Sequence, residues 1–549
     1  MNWFNKLIHH FTNKDIDKNS SQIIINNVQA INIAIALKHS GKFAMIPENL
    51  DIDDHVLKYP LCNYNFYLAS DGKIKAKGSD IIYDKDRLLY VIGLLSLIPA
   101  RNKDNIFEDD YVPINSKLIR NKIAKDYKNY LDYLLETKIL ECDDKYILDK
   151  KSYGYRFTSD YSESELKFVP YAGHKDKELQ PIPAKVMNED GEKGNPLLEY
   201  DYLRYWYDQK GLNIDIKSAL EFAKNYTKKK IDLGYETWKK SKSENNKRVH
   251  PKTQLRSITY NLYSLFAHDY NAKIDSKVHR LHSVITNMES IYRNFLYYND
   301  KKTITLEELA SEQDKQRLVN IDIKNSQPFL ATLLFNKDFW DKNSKQFNFS
   351  NLPSNIQDLL NEPINNNGIK TPLCSILGDY VEMIDKKELD LYIEKVSKGK
   401  FYEYIIDLLK TKLNTSIERN NVKTMMFEVL FSQNKYLNQP QFKHKKMFSQ
   451  VHPTIYKAFS LIKQIEHSTL ACLLQSIESE IILHRCCKRI WEEGNHKIPI
   501  FSIHDSIVTT EQHLNFVKQV MEEEIKKCIG VSPTLDADYW APSVALKKI

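Results

Sequence analysis

Two periods of apolar residues organise the second half of the chain. An apolar run, Ile498-Pro499-Ile500-Phe501-Ser502-Ile503, leads into His504-Asp505-Ser506, and Ile507 and Val508 follow at once. That pattern predicts a β-hairpin with a carboxylate at its tip. Leu318-Val319-Asn320-Ile321-Asp322-Ile323 predicts another strand, with Asp322 near its end. The polar Lys324-Asn325-Ser326-Gln327-Pro328 follows it, then an apolar helix over 329–335. A helical period governs 419–431, where Arg419, Lys423, Phe427 and Phe431 recur every fourth residue and so share one face. A last helix over 470–490 carries Gln475 and leads to the hairpin. An ionised Asp among buried strands is costly unless a cation sits opposite. In phosphoryl-transfer sites that cation is usually a metal ion.

The first half is less regular. Residues 1–110 mix short strand-like runs, at 23–25 and 43–46, with an apolar helix over 88–98 that Pro99 ends. An α/β domain without a catalytic constellation is expected there. Residues 111–157 predict a strand, a helix over 117–124 with Ser116 as a cap, and a second helix over 127–137. The second helix carries Tyr130, Leu131, Leu134 and Leu135 on one face. Strand-like pieces at 145–148 and 153–157 flank a turn containing Lys150 and Lys151. Helix, helix, then a hairpin tipped with lysines is the order of a winged helix. Such a unit places a helix in the major groove and its wing on phosphates, or it serves only as a packing or protein-binding module. Residues 158–199, with Pro170, Pro181, Pro183 and Pro196, read as a linker. Residues 200–275 read as helical and basic, with Lys224, Lys228, Lys229, Lys230, Lys239, Lys240, Lys242, Lys247 and Arg248. Tyr202, Tyr205, Trp206, Tyr226, Tyr235 and Trp238 are interleaved. That is either a solvated face over packed aromatics or a phosphate-gripping surface.

Composition narrows the classes. With 549 residues there is room for several domains. Charged residues at 28% and hydrophobic residues at 42% fit an ordinary soluble protein. The formal net charge of +7 permits nucleic-acid binding without requiring it. The seven cysteines lack zinc spacing and read as reduced intracellular thiols. The N-terminus has no signal-type apolar core, and no apolar run approaches the ~20 residues of a membrane span. A cytoplasmic protein with no membrane partner is expected.

Taken together, the second-half motifs resemble family A, DNA polymerase I-like, nucleotide polymerases of phages and mobile elements. Asp322 stands where the first palm motif has its catalytic Asp. The Arg419, Lys423, Phe427, Phe431 series resembles the fingers helix that receives the incoming nucleotide. His504-Asp505-Ser506 resembles the third palm motif. Gln475 falls where the preceding helix has a Gln facing the primer-template minor groove. Arg280-Leu281-His282-Ser283 with Thr286-Asn287 resembles the segment that grips the duplex. The resemblance covers residues 275–549 and implies an α+β right hand with palm parts at 276–340 and 469–549. It further implies fingers at 341–468 and a helical thumb-like region at 200–275. Asp322 and Asp505 would hold two Mg²⁺ ions, roughly 3.5–4 Å apart in such sites. Arg419 and Lys423 would bind the triphosphate, and Phe427, Phe431 and Gln327 would line the nucleotide pocket. Arg280, His282, Ser283, Thr286, Asn287, Gln475 and His504 would meet the DNA primer-template.

Departures from the family pattern matter as much. Gln327 occupies the position of the Glu that blocks a ribose 2′-OH. Its similar bulk implies that exclusion persists without the charge. Phe431 replaces a Tyr, Ser432 a Gly, and Ser506 stands where DNA polymerases more often have Glu. Single-subunit phage RNA polymerases also have His-Asp-Ser there. The leading expectation is template-directed DNA synthesis from dNTPs in replication of a phage or mobile element. No exonuclease motif is evident, so no proofreading is expected. RNA synthesis, template-independent transfer in antiviral defence, and a DNA-binding initiator with a structural polymerase-like half are the alternatives.

Overall fold

The computed structural model describes residues 43–78, 81–101, 110–123, 127–146, 152–171, 200–233, 251–299, 315–366 and 369–547. The expected strand at 23–25, the lysines at 150 and 151, and the basic run from Lys239 to Arg248 lie outside them, as do Tyr235 and Trp238.

A six-stranded antiparallel sheet carries the second half. Its strands are numbered here β1 (Leu212–Ile214), β2 (Leu296–Tyr298), β3 (Gln316–Ile323), β4 (Ile500–Ile503), β5 (Ser506–Thr510) and β6 (Leu535–Tyr539). The order is β4-β5-β3-β2-β1, with β6 also paired to β3. β3 is thus the hub: it takes β5 from Leu318 to Asp322, β6 from Val319 to Ile323, and β2 at its start. Its run of β-branched and apolar residues suits that double pairing, and Leu318, Val319, Ile321 and Ile323 are buried. A large cluster of apolar side chains joins this sheet to the helices around it.

Several elements differ from expectation. Residues 200–275 hold helices Asp201–Asp208, Ile216–Asp232 and Pro251–Phe266, but β1 interrupts them and joins the sheet. Three residues are too few to show a strand period. Gly211 beside it lies so close to the Tyr298 ring that a Cβ would sit 2.5 Å from it. Pro99 does not end its helix, which runs Lys85–Arg101. A proline in the last turn forfeits one amide bond to the preceding turn without breaking the helix there. The helix expected over 329–335 starts earlier, as Ser326–Leu330, and continues as a 3-10 segment, Ala331–Phe335. The helix expected over 470–490 begins as Thr469–Ser479, turns π-helical over Glu480–Cys487, and ends with Lys488–Glu493.

The N-terminal part brings strand Val112–Pro113, helices Ser116–Ile123 and Tyr127–Glu136, and strands Leu140–Cys142 and Gly154–Phe157 into one unit. The three strands form a sheet with Gly154–Phe157 in the middle. The strand paired with Gly154–Phe157 is Leu140–Cys142, and of the piece expected at 145–148 the last two residues lie outside the described residues. Tyr130, Leu131, Tyr133 and Leu134 are buried, in one core with Leu88, Ile92 and Leu95. Residues on both sides of position 110 thus share a core. The start of the expected linker is also structured, since Leu166–Pro170 pairs along its whole length with Phe43–Pro47. Among the described residues no helix is long and apolar enough to cross a membrane.

Candidate active site

β4 and β5 are joined by His504 and Asp505 alone, since Ile503 pairs directly with Ser506. His504 has φ +55. A positive φ at the first position of a two-residue hairpin turn is the type II′ pattern, which normally selects Gly. Holding a His there stores strain at the tip. On the neighbouring strand Asp322 pairs with Ser506, so sheet register brings Asp322 beside Asp505. Just past β3, Asn325 is also left-handed, at φ +55. It turns the chain into a short helix, here α1 (Ser326–Leu330).

Both carboxyls are half-buried, and both are pushed above the usual carboxylate range. For Asp322 the cause is burial first, then the charges of Asp505, Asp536 and Asp538. For Asp505 it is burial, opposed by a hydrogen bond from Ser326 and by the charge of Arg280. Asp536 stands opposite Asp322 on β6, and Asp538 lies opposite Asn320 on the same face. Lys324 Nζ pairs with Asp536 Oδ1 at 2.9 Å. Paired carboxylates that resist ionising together invite a cation. Among the described residues no group of three or more His, Cys, Asp or Glu side chains is arranged to hold a metal. What the sheet offers is two carboxylates, and Mg²⁺ is typically held by one or two carboxylates together with substrate phosphates.

Behind the pair lies a buried polar network. Glu478, on the helix Thr469–Ser479, is only 1% exposed. Its Oε1 accepts from Arg280 Nη2 at 2.5 Å and its Oε2 from Gln327 Nε2 at 2.6 Å. Burial drives its carboxyl up to about 7, against the pull of Arg280 and Gln327. His504 is held near 4 by burial and by the charges of Arg280, His282 and Arg293, so its ring is neutral at neutral pH. Its ring centroid lies 6.3 Å from that of His282. Four atoms around the carboxyls are buried without a hydrogen-bond partner among the described residues: Arg280 Nε, Asn325 Nδ2, Gln327 Oε1 and His504 Nδ1.

The cationic helix forms as the spacing implied. It runs Arg419–Phe431 and is called α3, after α2 (Phe401–Leu413). Val422, Met425, Met426 and Val429 are buried, while Arg419, Lys423 and Phe427 face solvent. Phe427 is 64% exposed, with its ring 5.5 Å from that of Phe431. Both cations of this face lie by the ring of Tyr402 on α2. Arg419 lies 5.2 Å and Lys423 6.0 Å from its ring centroid. The charge of Asp505 in turn helps burial raise the Tyr402 hydroxyl's pKa. Arg419 Nε also donates to Glu403 Oε1 at 2.8 Å.

The duplex-gripping residues divide. Arg280 joins the central network, and His282 approaches Asp275 at 3.6 Å. Ser283 and Thr286 are buried and spent on each other in a capping box at the start of helix Val284–Asn287. Asn287 and Gln475 are half-buried. Sequence reasoning missed Glu478, Tyr402, Ser326 and Asp536. Glu478 follows Gln475 by one helical turn, and Asp536 and Asp538 alternate along a strand; those were the only signals present.

No protein-family model matches the chain, and no curated protein does. Among solved structures the chain is similar to the "POL domain of Pol1 from M. smegmatis complex with DNA primer-template and dNTP", with 9% sequence identity and a TM-score of 0.32, over 62% of this chain and 70% of that one. A likeness that loose leaves function to be argued from this chain's own geometry.

Proposed function

We propose that the chain is a template-directed nucleotidyl transferase that makes DNA from dNTPs, with Mg²⁺ held by Asp322 and Asp505. The observation that carries the reading is the sheet register, which sets these two carboxyls side by side at the end of β3 and the tip of β4–β5. Their mutual repulsion fits a site that takes up a cation with its substrate. When bound, two Mg²⁺ ions supply activation of the primer 3′-OH and neutralisation of the triphosphate. In the reaction the 3′ oxygen bonds to the α-phosphorus and the bond to the bridging oxygen breaks. Pyrophosphate leaves, and the hydroxyl proton passes to solvent.

The chain's own groups supply position and charge. Arg419 and Lys423 meet the phosphates from the exposed face of α3, where the Tyr402 ring lies beside them. Phe427 offers a ring for base or sugar contact. Arg280, His282, Asn287, Gln475 and His504 are proposed to meet the primer-template. The strand-helix-helix-hairpin order of the N-terminal unit supports a winged helix that recruits DNA. The proposed setting, a phage or mobile element without proofreading, rests on the sequence resemblance alone.

The test is primer extension on a primed DNA template with Mg²⁺, with Asp505→Asn alongside. Templated dNTP incorporation that falls by roughly a thousandfold or more in the variant is expected, as for loss of a group acting in the transition state. Extension that ignores the template would favour terminal transfer. DNA binding with no incorporation at all would favour the initiator.

A further inference from the structure

Ser326 and Gln327 open α1, a helix of five residues. Its start is weakly held from within. Asn325 before it is left-handed and supplies no side-chain cap, and its amide nitrogen is buried without a partner among the described residues. So short a helix is not stable by itself and takes its place from tertiary contacts. One is on its far side, where Tyr392 Oη donates to the Pro328 carbonyl at 2.8 Å. Another is at Gln327, whose amide nitrogen donates to Glu478 Oε2 at 2.6 Å. A carboxylate can only accept, so the bond has one polarity. Glu478 is itself fixed, 1% exposed on the helix that packs against α1, with Arg280 on its other oxygen. Between Asn325 and Gln327 stands Ser326, whose hydroxyl donates to Asp505. The buried carboxylate thus grips the residue next to the one that orients the tip carboxylate.

We propose that Glu478 is a positioning residue for Asp505: through Gln327 it fixes the first turn of α1, and with it the Ser326 hydroxyl that holds the Asp505 carboxylate in place to bind Mg²⁺. This rests on the reading of Asp505 as a metal ligand, given above. Being buried, Glu478 touches neither metal nor substrate. Its role is in metal affinity. Groups that orient a metal's ligands typically change affinity by about tenfold to a hundredfold when they are removed.

The experiment is Mn²⁺ binding by the full chain, read by electron paramagnetic resonance, with a primed DNA template whose primer lacks a 3′-OH and the matching dNTP. Asp505→Asn is the blank. Gln327→Leu and Ser326→Ala leave every charge of the site unchanged. Each is expected to weaken the Asp505-dependent Mn²⁺ affinity about tenfold. Both act through one hydrogen bond, so the double variant should bind within about twofold of Ser326→Ala alone. Should Gln327→Leu fail to fold, Glu478→Gln is read in its place. Its cost should be lost in the Ser326→Ala background, whereas an effect of charge alone would be the same in both. Losses that multiply in the double variant overturn the inference, and so does wild-type affinity in Gln327→Leu. Either outcome leaves Mn²⁺ at Asp505 intact. If instead the wild type binds no more Mn²⁺ than Asp505→Asn, the reading of Asp505 as a metal ligand has itself failed.

Discussion

Lys445 and Lys463 are almost wholly buried, 0% and 4% exposed, in a protein whose other lysines mostly face water. Both end against the last carbonyls of α3. Lys463 Nζ donates to Val429 O at 2.5 Å and Ser432 O at 3.2 Å, and Lys445 Nζ to Gln433 O at 2.7 Å and Ser432 Oγ at 3.0 Å. The C-terminus of a helix leaves carbonyls unsatisfied and carries partial negative charge, so two ammonium groups fit there. They are not at ease. Burial, then the charge of Lys445, brings Lys463 down to about 7, and burial brings Lys445 down to about 8. The folded-state value of each lies below the value of a free lysine. Between the two values the unfolded chain binds more protons, and stability then rises with pH. We expect the folded state to gain stability between about pH 7 and pH 9. Lys463→Met should remove most of that slope. Denaturant midpoints across the range check this, and equal slopes in wild type and variant would exclude it.

At the scale of the element, α3 is a scaffold for an exposed row. Its buried side ties it to the core, and the lysines hold its end. The row is exposed, and its one ion pair among the described residues, Arg419 to Glu403, lies at the surface, so substitutions in it should spare the fold. Lys423→Ala and Arg419→Ala are each expected to raise KM for the nucleotide about tenfold or more, as loss of one charge-assisted phosphate contact does. Melting temperature should stay near that of the wild type. Steady-state kinetics over dNTP concentration tests this, and an unchanged KM in both variants would remove α3 from the nucleotide site. The face of α3 was legible from spacing because a helix repeats locally. The same holds for β3 and the β4–β5 hairpin, whose apolar runs are bounded by polar turns. β1 was not legible, being three residues long and defined only by pairing with β2. Neither was the Glu478 network. A carboxylate among Leu473, Leu474 and Ile477 announces no partner, and Arg280 and Gln327 reach it only through the fold. Ser283 and Thr286 show the converse, residues that fit a motif but whose hydroxyls close a helix cap.

At the scale of the whole molecule, the N-terminal unit and the sheet domain meet chiefly along one helix. Pro251–Phe266 packs on Ile216–Asp232 on one side and on Lys85–Arg101 on the other. Between them sits a small aromatic cluster. The Phe43 ring lies 4.5 Å from that of Phe168 and 5.0 Å from that of Tyr260, with Met45 and Ala100 buried beside it. Polar contacts across the seam include Arg101 Nη2 to Asn271 Oδ1 at 2.7 Å, Asn261 Nδ2 to the Ala100 carbonyl at 3.4 Å, and the exposed pair Lys224 Nζ to Glu165 Oε2 at 2.6 Å. Tyr260, with Tyr263 one turn further on, carries the helix into this cluster. Truncating a buried aromatic costs about 3–5 kcal/mol, and here the loss falls on the seam and not within either core. We expect Tyr260→Ala to split unfolding into two transitions. The smaller N-terminal core should melt first, because it buries less apolar surface. The sheet, with Asp322 and Asp505, should remain folded through the first transition. Hydrogen exchange resolved by segment tests this: amides of residues 88–98 should lose protection before those of 318–323. Simultaneous loss in both segments would mean that the two cores unfold as one unit through contacts other than this cluster.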